Sequence, residues 1–445
     1  MKMRDNSREE KAIVYRKIPQ IAGKIANKTL TQLEMEGVFI FPESAKDAED
    51  LSGDQMVLQT VNDFCYTGNV MGFLGCGKER LVISSRFAAG EKDFFLQYML
   101  DRVLDFPNVF DLETESDGNN QLLNILMFLF PLYLKTAMRK GLFKTYIHVE
   151  YNDSNPKGNI NIARHIKQNT PFVGKIAYDQ REQSLNNDIS QLIRHTIEYI
   201  REKRNGNQIL ARAKEDVKRI VEVTPNYKLH DRQKVLQNNR KHTIRHAYFR
   251  EYRALQQLCI LILQHQKQEL GSGINRVYGV LFDGAWLWEE YVNSLVSQWF
   301  HHPKNKAHSG AEQLFSGERK IGLIYPDFIG KDPADRILAD AKYKPFENIG
   351  NRDYLQLLAY MMRFESKKGL YFYPEAESKT GTRLWLNRGT SYDKVVRRDD
   401  VFVIKHGLLI PADGIDYRDF SLKMKNAEEA FRQEIRRLKD PKDTC

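Results

Sequence analysis

Residues 321–343 constrain the fold of this chain more than any other segment, because they combine two strand-like runs with a strong turn signal. The runs cover residues 321–329 and 336–343. Between them stands Asp332-Pro333, with Asp and Pro at the first two positions that a type I turn prefers. The segment therefore predicts a β-hairpin.

The register of this hairpin determines which side chains meet. If residues 332–335 form a four-residue loop, paired residues have numbers that sum to 667, and Asp327 lies directly across from Asp340. Directly opposed residues share a face of the sheet, with Cβ atoms about 4.5–5.5 Å apart. Since side chains alternate along a strand, Lys342 points to the same face as Asp340. The hairpin thus predicts two carboxylates and one amine on a single patch.

This trio suits metal-dependent chemistry on phosphate. Two opposed carboxylates repel each other unless a divalent cation lies between them, and Mg²⁺ prefers a few carboxylate oxygens together with water and phosphate. A lysine beside the metal can orient water and stabilise charge on the phosphate. The sequence motif is typical of PD-(D/E)XK nucleases: Pro326-Asp327 is followed, after twelve residues, by Asp340-Ala341-Lys342. A salt-bridged surface hairpin is the alternative that these five residues leave open.

The segment before the hairpin adds a candidate acid. Residues 281–300 show an amphipathic helical pattern with a stripe of large apolar side chains. Glu289 lies at the edge of that stripe and is expected to face protein, whereas Glu290 is expected to face water. An inward acid here could complete the metal site, and we favour Glu289 for that role. An ordinary ion pair at a helix boundary is the alternative.

The segment after the hairpin adds a candidate amide. Residues 351–364 read as a helix on which Gln356 and Tyr360 share a face, one turn apart. A strand at residues 369–373 follows. Helix, hairpin, helix and strand in this order form the minimal fold of the nuclease superfamily, in which such a glutamine often reaches the active site.

Charge, cysteine spacing and the longest apolar stretch indicate the kind of partner and the cellular compartment to expect. The chain has 445 residues, a formal net charge of +10 and a pI near 9.1, a balance that suits a polyanionic partner such as DNA. The four cysteines are scattered without metal-ligand spacing, which favours the reducing cytoplasm. The most apolar stretch, residues 122–134, contains Asn124 and Pro131 and is too short for a membrane span, so we expect a buried helix and no membrane partner.

The pattern of elements predicts a multidomain α+β chain. Residues 1–110 read as a β-rich N-terminal domain, residues 111–270 as a mostly helical middle region, and residues 271–445 as a C-terminal α/β domain of the PD-(D/E)XK nuclease fold. Long helical patterns cover residues 184–223 and 241–266.

Residues 72–78 match the spacing of a phosphate-binding loop, G-x-x-x-x-G-K. That mechanism requires Ser or Thr next and a helix afterwards. Glu79 and a β-type run follow instead. We therefore expect a β-turn here.

Taken together, these motifs resemble the McrC family, the nuclease subunits of McrBC-type modification-dependent restriction systems. The C-terminal resemblance is carried by residues 287–292, Pro326-Asp327, residues 340–344 and the Gln356 helix. Weaker similarity is carried by residues 83–87, 93–100, 157–160 and 184–188.

The resemblance implies a division of labour between two proteins. An McrC-like chain supplies Mg²⁺-dependent cutting of double-stranded DNA, with Mn²⁺ as a substitute metal. A McrB-like AAA+ GTPase ring recognises and translocates the DNA. The N-terminal half of the McrC-like chain docks on that ring and stimulates GTP hydrolysis, so residues 1–110 are the expected docking domain here. The chain itself is then expected to bind no nucleotide.

The nuclease hypothesis assigns each residue a role. Asp327, Asp340 and the Ala341 carbonyl would hold the metal, Lys342 would orient the water, and Glu289 and Gln356 would support the site. Two alternatives remain: a non-catalytic adaptor that activates the GTPase on a nuclease-fold scaffold, and a stand-alone nuclease for repair or DNA junctions.

Overall fold

The computed structural model describes residues 1–36, 38–41, 55–88, 93–103, 118–203, 205–244, 246–268, 277–303, 311–317, 321–377, 382–391 and 394–439. The chain forms two compact units, one made of Met1–Leu122 with Gly273–Cys445 and the other of Leu123–Ser272. Helices and strands are mixed throughout, which confirms a multidomain protein with both α and β structure.

The N-terminal part of the first unit is rich in short strands. Its elements are β1 (Lys2–Arg4), β2 (Arg8–Glu10), α1 (Lys11–Lys17), α2 (Pro19–Ile25), α3 (Leu30–Glu36), β3 (Val38–Phe41), β4 (Leu58–Val61), β5 (Phe64–Thr67), β6 (Val70–Cys76), β7 (Glu79–Ser84) and α4 (Phe94–Val103). Strands β6 and β7 form a hairpin in which Cys76 pairs with Glu79. Gly77 has a φ of 56°, which glycine adopts without strain. The apparent phosphate-binding loop is therefore a β-turn, as predicted.

The second unit is mainly helical and carries one small sheet. Its elements are α5 (Gly118–Met138), β8 (Thr145–Asp153), β9 (Asn159–Ile160), α6 (Ile162–Gln168), β10 (Ile176–Ser184), α7 (Asp188–Arg201), α8 (Gly206–Ala211), α9 (Lys214–Val223), α10 (Arg232–Lys241) and α11 (Arg250–Gln268). The long helix predicted over residues 184–223 is instead three helices, and the one predicted from residue 241 begins at Arg250. Asn187 starts α7 because its side-chain oxygen accepts the backbone N–H groups of Ile189 and Ser190.

Helix α5 contains the most apolar stretch of the sequence. Its side chains from Leu123 to Phe130 are almost all buried, in agreement with the predicted core helix. In the parts of the chain that the structure describes, no helix is both long and apolar enough to cross a bilayer.

The C-terminal part of the first unit contains the predicted hairpin. Its elements are β11 (Tyr278–Asp283), α12 (Gly284–Val296), β12 (Phe300–His301), β13 (Glu312–Phe315), β14 (Ile321–Ile324), β15 (Phe328–Gly330), β16 (Ile337–Ala341), α13 (Asn351–Arg363), β17 (Lys368–Glu375), β18 (Thr382–Ser391), β19 (Lys394–Leu409) and α14 (Tyr417–Lys439). The predicted helix over residues 281–300 begins later, because residues up to Asp283 belong to β11. Asp283 caps α12 by accepting the Trp286 N–H at 2.6 Å.

Six strands of this part form one sheet in the order β12-β15-β16-β17-β19-β18. One face packs on α13 through Leu357, Tyr360 and Tyr371. On the other face the Phe372 ring contacts Phe431 of α14 at a centroid distance of 5.4 Å. The sheet is therefore covered by helices on both faces, and its central strands are buried.

The N-terminal segment is not separate from this part of the chain. Strand β11 pairs in parallel with β3 and antiparallel with β6, within a five-stranded sheet of order β1-β7-β6-β11-β3. The structure thus differs from the predicted three-part division, in which residues 1–110 stood alone. All four residues of β3 are buried, and a buried strand needs a partner for its backbone groups. The sequence does not say which distant strand supplies it.

A buried polar cluster joins α4, α12 and α14. Glu428, 1% exposed, accepts hydrogen bonds from Tyr98 and Tyr291, each at 2.9 Å, and pairs with Arg102 at 2.6 Å. Nearby, Asp101 accepts the Tyr417 hydroxyl. Its other oxygen has no hydrogen-bond partner among the described residues. Burial raises the pKa of Asp101 from 3.8 to about 7, although the Tyr417 hydrogen bond opposes that shift.

Replacing Asp101 by asparagine should stabilise the protein at high pH. A carboxyl whose pKa is raised on folding stabilises the fold fully below pH 3.8, and that contribution is lost as pH rises through about 7. The asparagine amide is neutral at every pH, so we expect Asp101→Asn to raise the free energy of unfolding at pH 8 by about 2–4 kcal/mol. Urea unfolding at pH 5 and pH 8 measures this.

The matched control is Asp399→Asn, at a side chain that is 82% exposed. It should leave the pH dependence unchanged. If the free energy of unfolding changed between pH 5 and pH 8 by the same amount in Asp101→Asn and in the unmodified chain, the prediction would be contradicted.

Candidate active site

The predicted hairpin register is confirmed. Strands β15 and β16 pair Phe328 with Ala339 and Ile329 with Leu338. Asp327 immediately precedes β15, so continuing this register places it opposite Asp340. In the connecting loop, the Asp332 side chain accepts the Ala334 N–H at 2.9 Å, as expected of an aspartate that begins a turn.

The strand predicted over residues 321–329 is wrong in one respect. It is split into β14, which pairs with β13, and β15, which pairs with β12 and β16. Pro326 lies in the interruption, and proline has no N–H to donate to a ladder. The Asp327 carboxylate instead accepts the Ala341 N–H at 2.8 Å. This contact holds Asp327 against the strand that carries Asp340.

Asp340 and Lys342 form a buried ion pair. Asp340 is 2% exposed, and its carboxylate lies 2.7 Å from the Lys342 ammonium. Lys342 also donates to the Gln356 side-chain oxygen at 3.1 Å, and Gln356 donates to the Tyr360 hydroxyl at 2.6 Å. The helix α13 therefore brings the predicted glutamine to the predicted lysine.

The charges at the site act on one another strongly. Burial, the Glu289 carboxylate and the Asp340 carboxylate raise the pKa of Asp327 well above its ordinary value. Burial alone would lower the pKa of Lys342, but the carboxylates of Asp340 and Asp327 outweigh it and hold that pKa above its ordinary value. Lys342 is therefore a cationic donor and not a base at neutral pH.

Helix α12 presents two adjacent acids to this region. The Glu289 side chain is 13% exposed and the Glu290 side chain 34% exposed, so Glu289 is the more buried of the two, as we expected. Both carboxylates lie 3.6 Å from Nε2 of His302. Burial opposes protonation of His302, but the two glutamates and the Asp327 carbonyl raise its pKa above the ordinary value.

Two residues at the site were missed at the level of sequence. His302 contacts the Asp327 carbonyl at 2.9 Å through Nδ1, and no spacing rule links it to Asp327. Asp353, in the first turn of α13, pairs with Lys344 at 2.7 Å and lies 3.9 Å from Lys342. An acid in the first turn of a predicted helix was a usable signal for Asp353, since such acids complement the helix dipole.

The donor set fits a hard divalent cation. Asp327 and Asp340 supply carboxylate oxygens and Ala341 a main-chain carbonyl. Burial, and then the carboxylates of Glu289 and Asp340, raise the pKa of Asp327, and a cation would relieve the repulsion between these carboxylates. Among the residues that the structure describes, no cluster of three or more His, Cys, Asp or Glu side chains is arranged to hold a metal. Mg²⁺ commonly binds proteins through one or two carboxylates and keeps several waters.

A double-mutant cycle should reveal strong coupling between Asp340 and Lys342. Removing the ammonium leaves the buried Asp340 carboxylate without its partner, so we expect Lys342→Met alone to cost about 3–5 kcal/mol. Asp340→Asn should cost less, because Asp353 and Gln356 remain beside Lys342. The double variant should recover about 1–3 kcal/mol of the summed loss. Urea unfolding in EDTA measures each free energy.

The comparison pair is Lys368 and Asp335, which are equally close at 2.6 Å but have side chains 22% and 40% exposed. Lys368→Met and Asp335→Asn should couple by less than about 1 kcal/mol. Coupling at Asp340 and Lys342 no larger than this would show that the buried pair is not the strong interaction described above.

Comparison with solved structures gives weak likenesses. Among solved structures, a half-complex of Thermococcus gammatolerans McrB AAA+ hexamers with bound McrC contains a chain 15% identical to this one, with a TM-score of 0.44, covering 96% of this chain and 99% of that chain. The cryo-EM structure of the Thermococcus gammatolerans McrBC complex matches at 13% identity and a TM-score of 0.30, covering 67% and 87%. These scores are low, so the family assignment rests on sequence.

A comparison with curated proteins gives no match. The sequence does match the McrBC 5-methylcytosine restriction system component family over residues 66–374, a range that contains Glu289, Asp327, Asp340, Lys342 and Gln356. The match spans more than half of the chain and confirms the resemblance seen in its motifs. The chain therefore belongs to the McrBC 5-methylcytosine restriction system component family.

Proposed function

We propose that this chain is the DNA-cutting subunit of its restriction system, an Mg²⁺-dependent endonuclease with a PD-(D/E)XK fold in its C-terminal part. The observation that carries the proposal is the meeting of Asp327, Asp340 and Lys342 at one hairpin, with Gln356 bound to the lysine. The net charge of +10 supports a polyanionic substrate such as double-stranded DNA.

The chain's own residues have distinct roles in this proposal. Asp327, Asp340 and the Ala341 carbonyl would hold Mg²⁺, with Mn²⁺ as a substitute. When bound, the cation supplies positive charge beside the phosphate and acidifies water. Lys342 donates hydrogen bonds to the attacking water and to the phosphate, and Gln356 fixes the direction of its ammonium. Glu289 adds negative charge beside Asp327.

The reaction is hydrolysis of a phosphodiester bond. Water oxygen bonds to phosphorus while the bond from phosphorus to the 3′ oxygen breaks, and that oxygen takes up a proton. The products are a 5′-phosphate and a 3′-hydroxyl. Because the cationic Lys342 cannot accept the water's proton, the water must lose it to solvent or to a neighbouring carboxylate.

We further propose that a McrB-like AAA+ GTPase ring activates this chain and is stimulated by it. Family membership supports this partner, and the two Thermococcus structures are of assemblies that contain McrB together with McrC. The segment that resembles a phosphate-binding loop is the β-turn at Gly77. The proposal therefore assigns GTP binding to the partner. The scattered, buried cysteines Cys65, Cys76 and Cys259 are free, which is compatible with a cytoplasmic location.

The second unit offers a surface for a protein partner. Large apolar side chains are exposed around α6, and Ile162 and Ile166 lie one helical turn apart with 69% and 59% of their surface exposed. Phe172 and Val173 follow at 67% and 61%. Clustered apolar exposure of this kind is typical of interaction sites. Docking through residues 1–110 remains the sequence-based alternative.

Asp340→Asn should abolish DNA cutting without loss of partner activation. The substitution removes a metal-binding charge and the closest carboxylate partner of Lys342, so we expect cleavage to fall by about 10²–10³-fold or more. Plasmid cleavage with Mg²⁺, the candidate GTPase partner and GTP measures it. Stimulation of the partner's GTP hydrolysis should persist.

Asp335→Asn is the matched control, since Asp335 lies in the loop of the same hairpin and pairs with Lys368. It should cut normally. Unchanged cutting by Asp340→Asn would refute the assignment of the site. Stimulated GTP hydrolysis with no cutting under any condition would favour a non-catalytic adaptor, and cutting without partner or nucleotide would favour a stand-alone nuclease.

Ile162→Asp should uncouple the chain from its partner. A charge in the centre of an apolar contact removes buried area and leaves the carboxylate desolvated, so we expect binding to the GTPase ring to weaken by about tenfold or more. The rate of GTP hydrolysis by the partner, measured at increasing concentrations of this chain, gives the binding affinity. Leu229→Asp, at a side chain that is 56% exposed outside the cluster, is the control. Equal stimulation by both variants would exclude this surface.

A further inference from the structure

We propose that His302 is a positioning residue of the active site, which ties Glu289 and Glu290 of α12 to Asp327 at the start of β15. The inference rests on the nuclease function proposed above and extends it to a residue outside the sequence motif. Its ring contacts the Asp327 carbonyl and lies beside Glu289 and Glu290, so we expect it to act on the site through these groups.

The first contact fixes the backbone at Asp327. Strand β12 pairs with β15 through Phe300 and His301, and its ladder ends there. At the next residue the imidazole continues the connection, because His302 Nδ1 lies 2.9 Å from the Asp327 carbonyl oxygen. A carbonyl oxygen only accepts hydrogen bonds, so Nδ1 must carry the hydrogen. The side chain thus holds the backbone carbonyl that precedes β15.

The second contact reaches the acids of α12. His302 Nε2 lies 3.6 Å from a carboxylate oxygen of Glu289 and 3.6 Å from one of Glu290. The His302 side chain is 11% exposed, and its ring stacks on Phe328 at 5.1 Å with an interplanar angle of 27°. The ring is therefore held in one orientation. Its Nδ1 faces the Asp327 carbonyl, directly before β15, and its Nε2 faces Glu289 and Glu290.

Asp327 is in this way fixed from two sides. Its carboxylate accepts the Ala341 N–H at 2.8 Å, and its carbonyl accepts the His302 N–H at 2.9 Å. A metal-holding carboxylate must be placed within about 0.5 Å to act efficiently, and partners that orient such groups typically change metal affinity or activity by about 10–100-fold when lost. His302 is placed to supply that orientation.

The test uses three variants of the full chain. His302→Phe keeps the stacked ring but removes both nitrogens. His302→Asn has a short amide that can still donate to the Asp327 carbonyl but no longer reaches the glutamates. His301→Asn is the matched control, since His301 is the exposed residue directly before His302, at the end of β12.

Mn²⁺ alone is the probe, and its affinity for the metal-free chain is measured by electron paramagnetic resonance without DNA. We expect His302→Phe to weaken Mn²⁺ binding by about 10–100-fold and to lower kcat for cleavage with little change in KM. His302→Asn should recover part of both losses, and His301→Asn should match the unmodified chain. The midpoint of urea unfolding in EDTA separates this from a structural role, because it should move little in His302→Asn.

Two results would overturn the inference. One is Mn²⁺ affinity and kcat in His302→Phe equal to those of His301→Asn. The other, decisive if His302→Phe does not fold, is His302→Asn with Mn²⁺ affinity and kcat equal to those of the unmodified chain. Failure of the unmodified chain to bind Mn²⁺ in an Asp340-dependent manner would instead contradict the proposed function itself.

Discussion

The pairing of β15 with β16 is the interaction on which the candidate site depends. It places Asp327 at the entry of one strand against the end of the other, and the interruption at Pro326 leaves the Asp327 carboxylate to accept the Ala341 N–H. A shift of one residue would turn Asp340 and Lys342 to the opposite face of the sheet. Register, turn chemistry and the proline therefore act together to assemble the site.

Charge balance explains why the site suits a cation. Three carboxylates act on one another here, while the nearest ammonium belongs to Lys342 and is bound to Asp340 at 2.7 Å. Desolvation makes such an excess of negative charge costly unless it is neutralised. A proton on Asp327 relieves the repulsion in part, and a divalent cation would do so more completely. Lys342 is held cationic by the same carboxylates, which restricts it to donating hydrogen bonds.

Several features could not be predicted because they depend on contacts between distant segments. His302 reaches Asp327 through the pairing of β12 with β15, and nothing in its sequence spacing indicates that pairing. The buried strand β3 finds its partner in β11, more than 200 residues later in the chain. The buried cluster around Glu428 likewise joins helices α4, α12 and α14. Hydrophobic patterning specifies that such segments are buried, but not against which other segment.

Local chemistry in the sequence was sufficient for the hairpin, its register, the shared face of Asp340 and Lys342, and the helix that carries Gln356. Each of these follows from turn residues, from the two-residue alternation of strands or from the 3.6-residue period of a helix. Tertiary structure decided the sheet that joins β11 to the N-terminal strands, and the contacts of His302. Those outcomes depend on how separately formed elements pack, and packing is determined by the whole set of buried surfaces and not by any one segment.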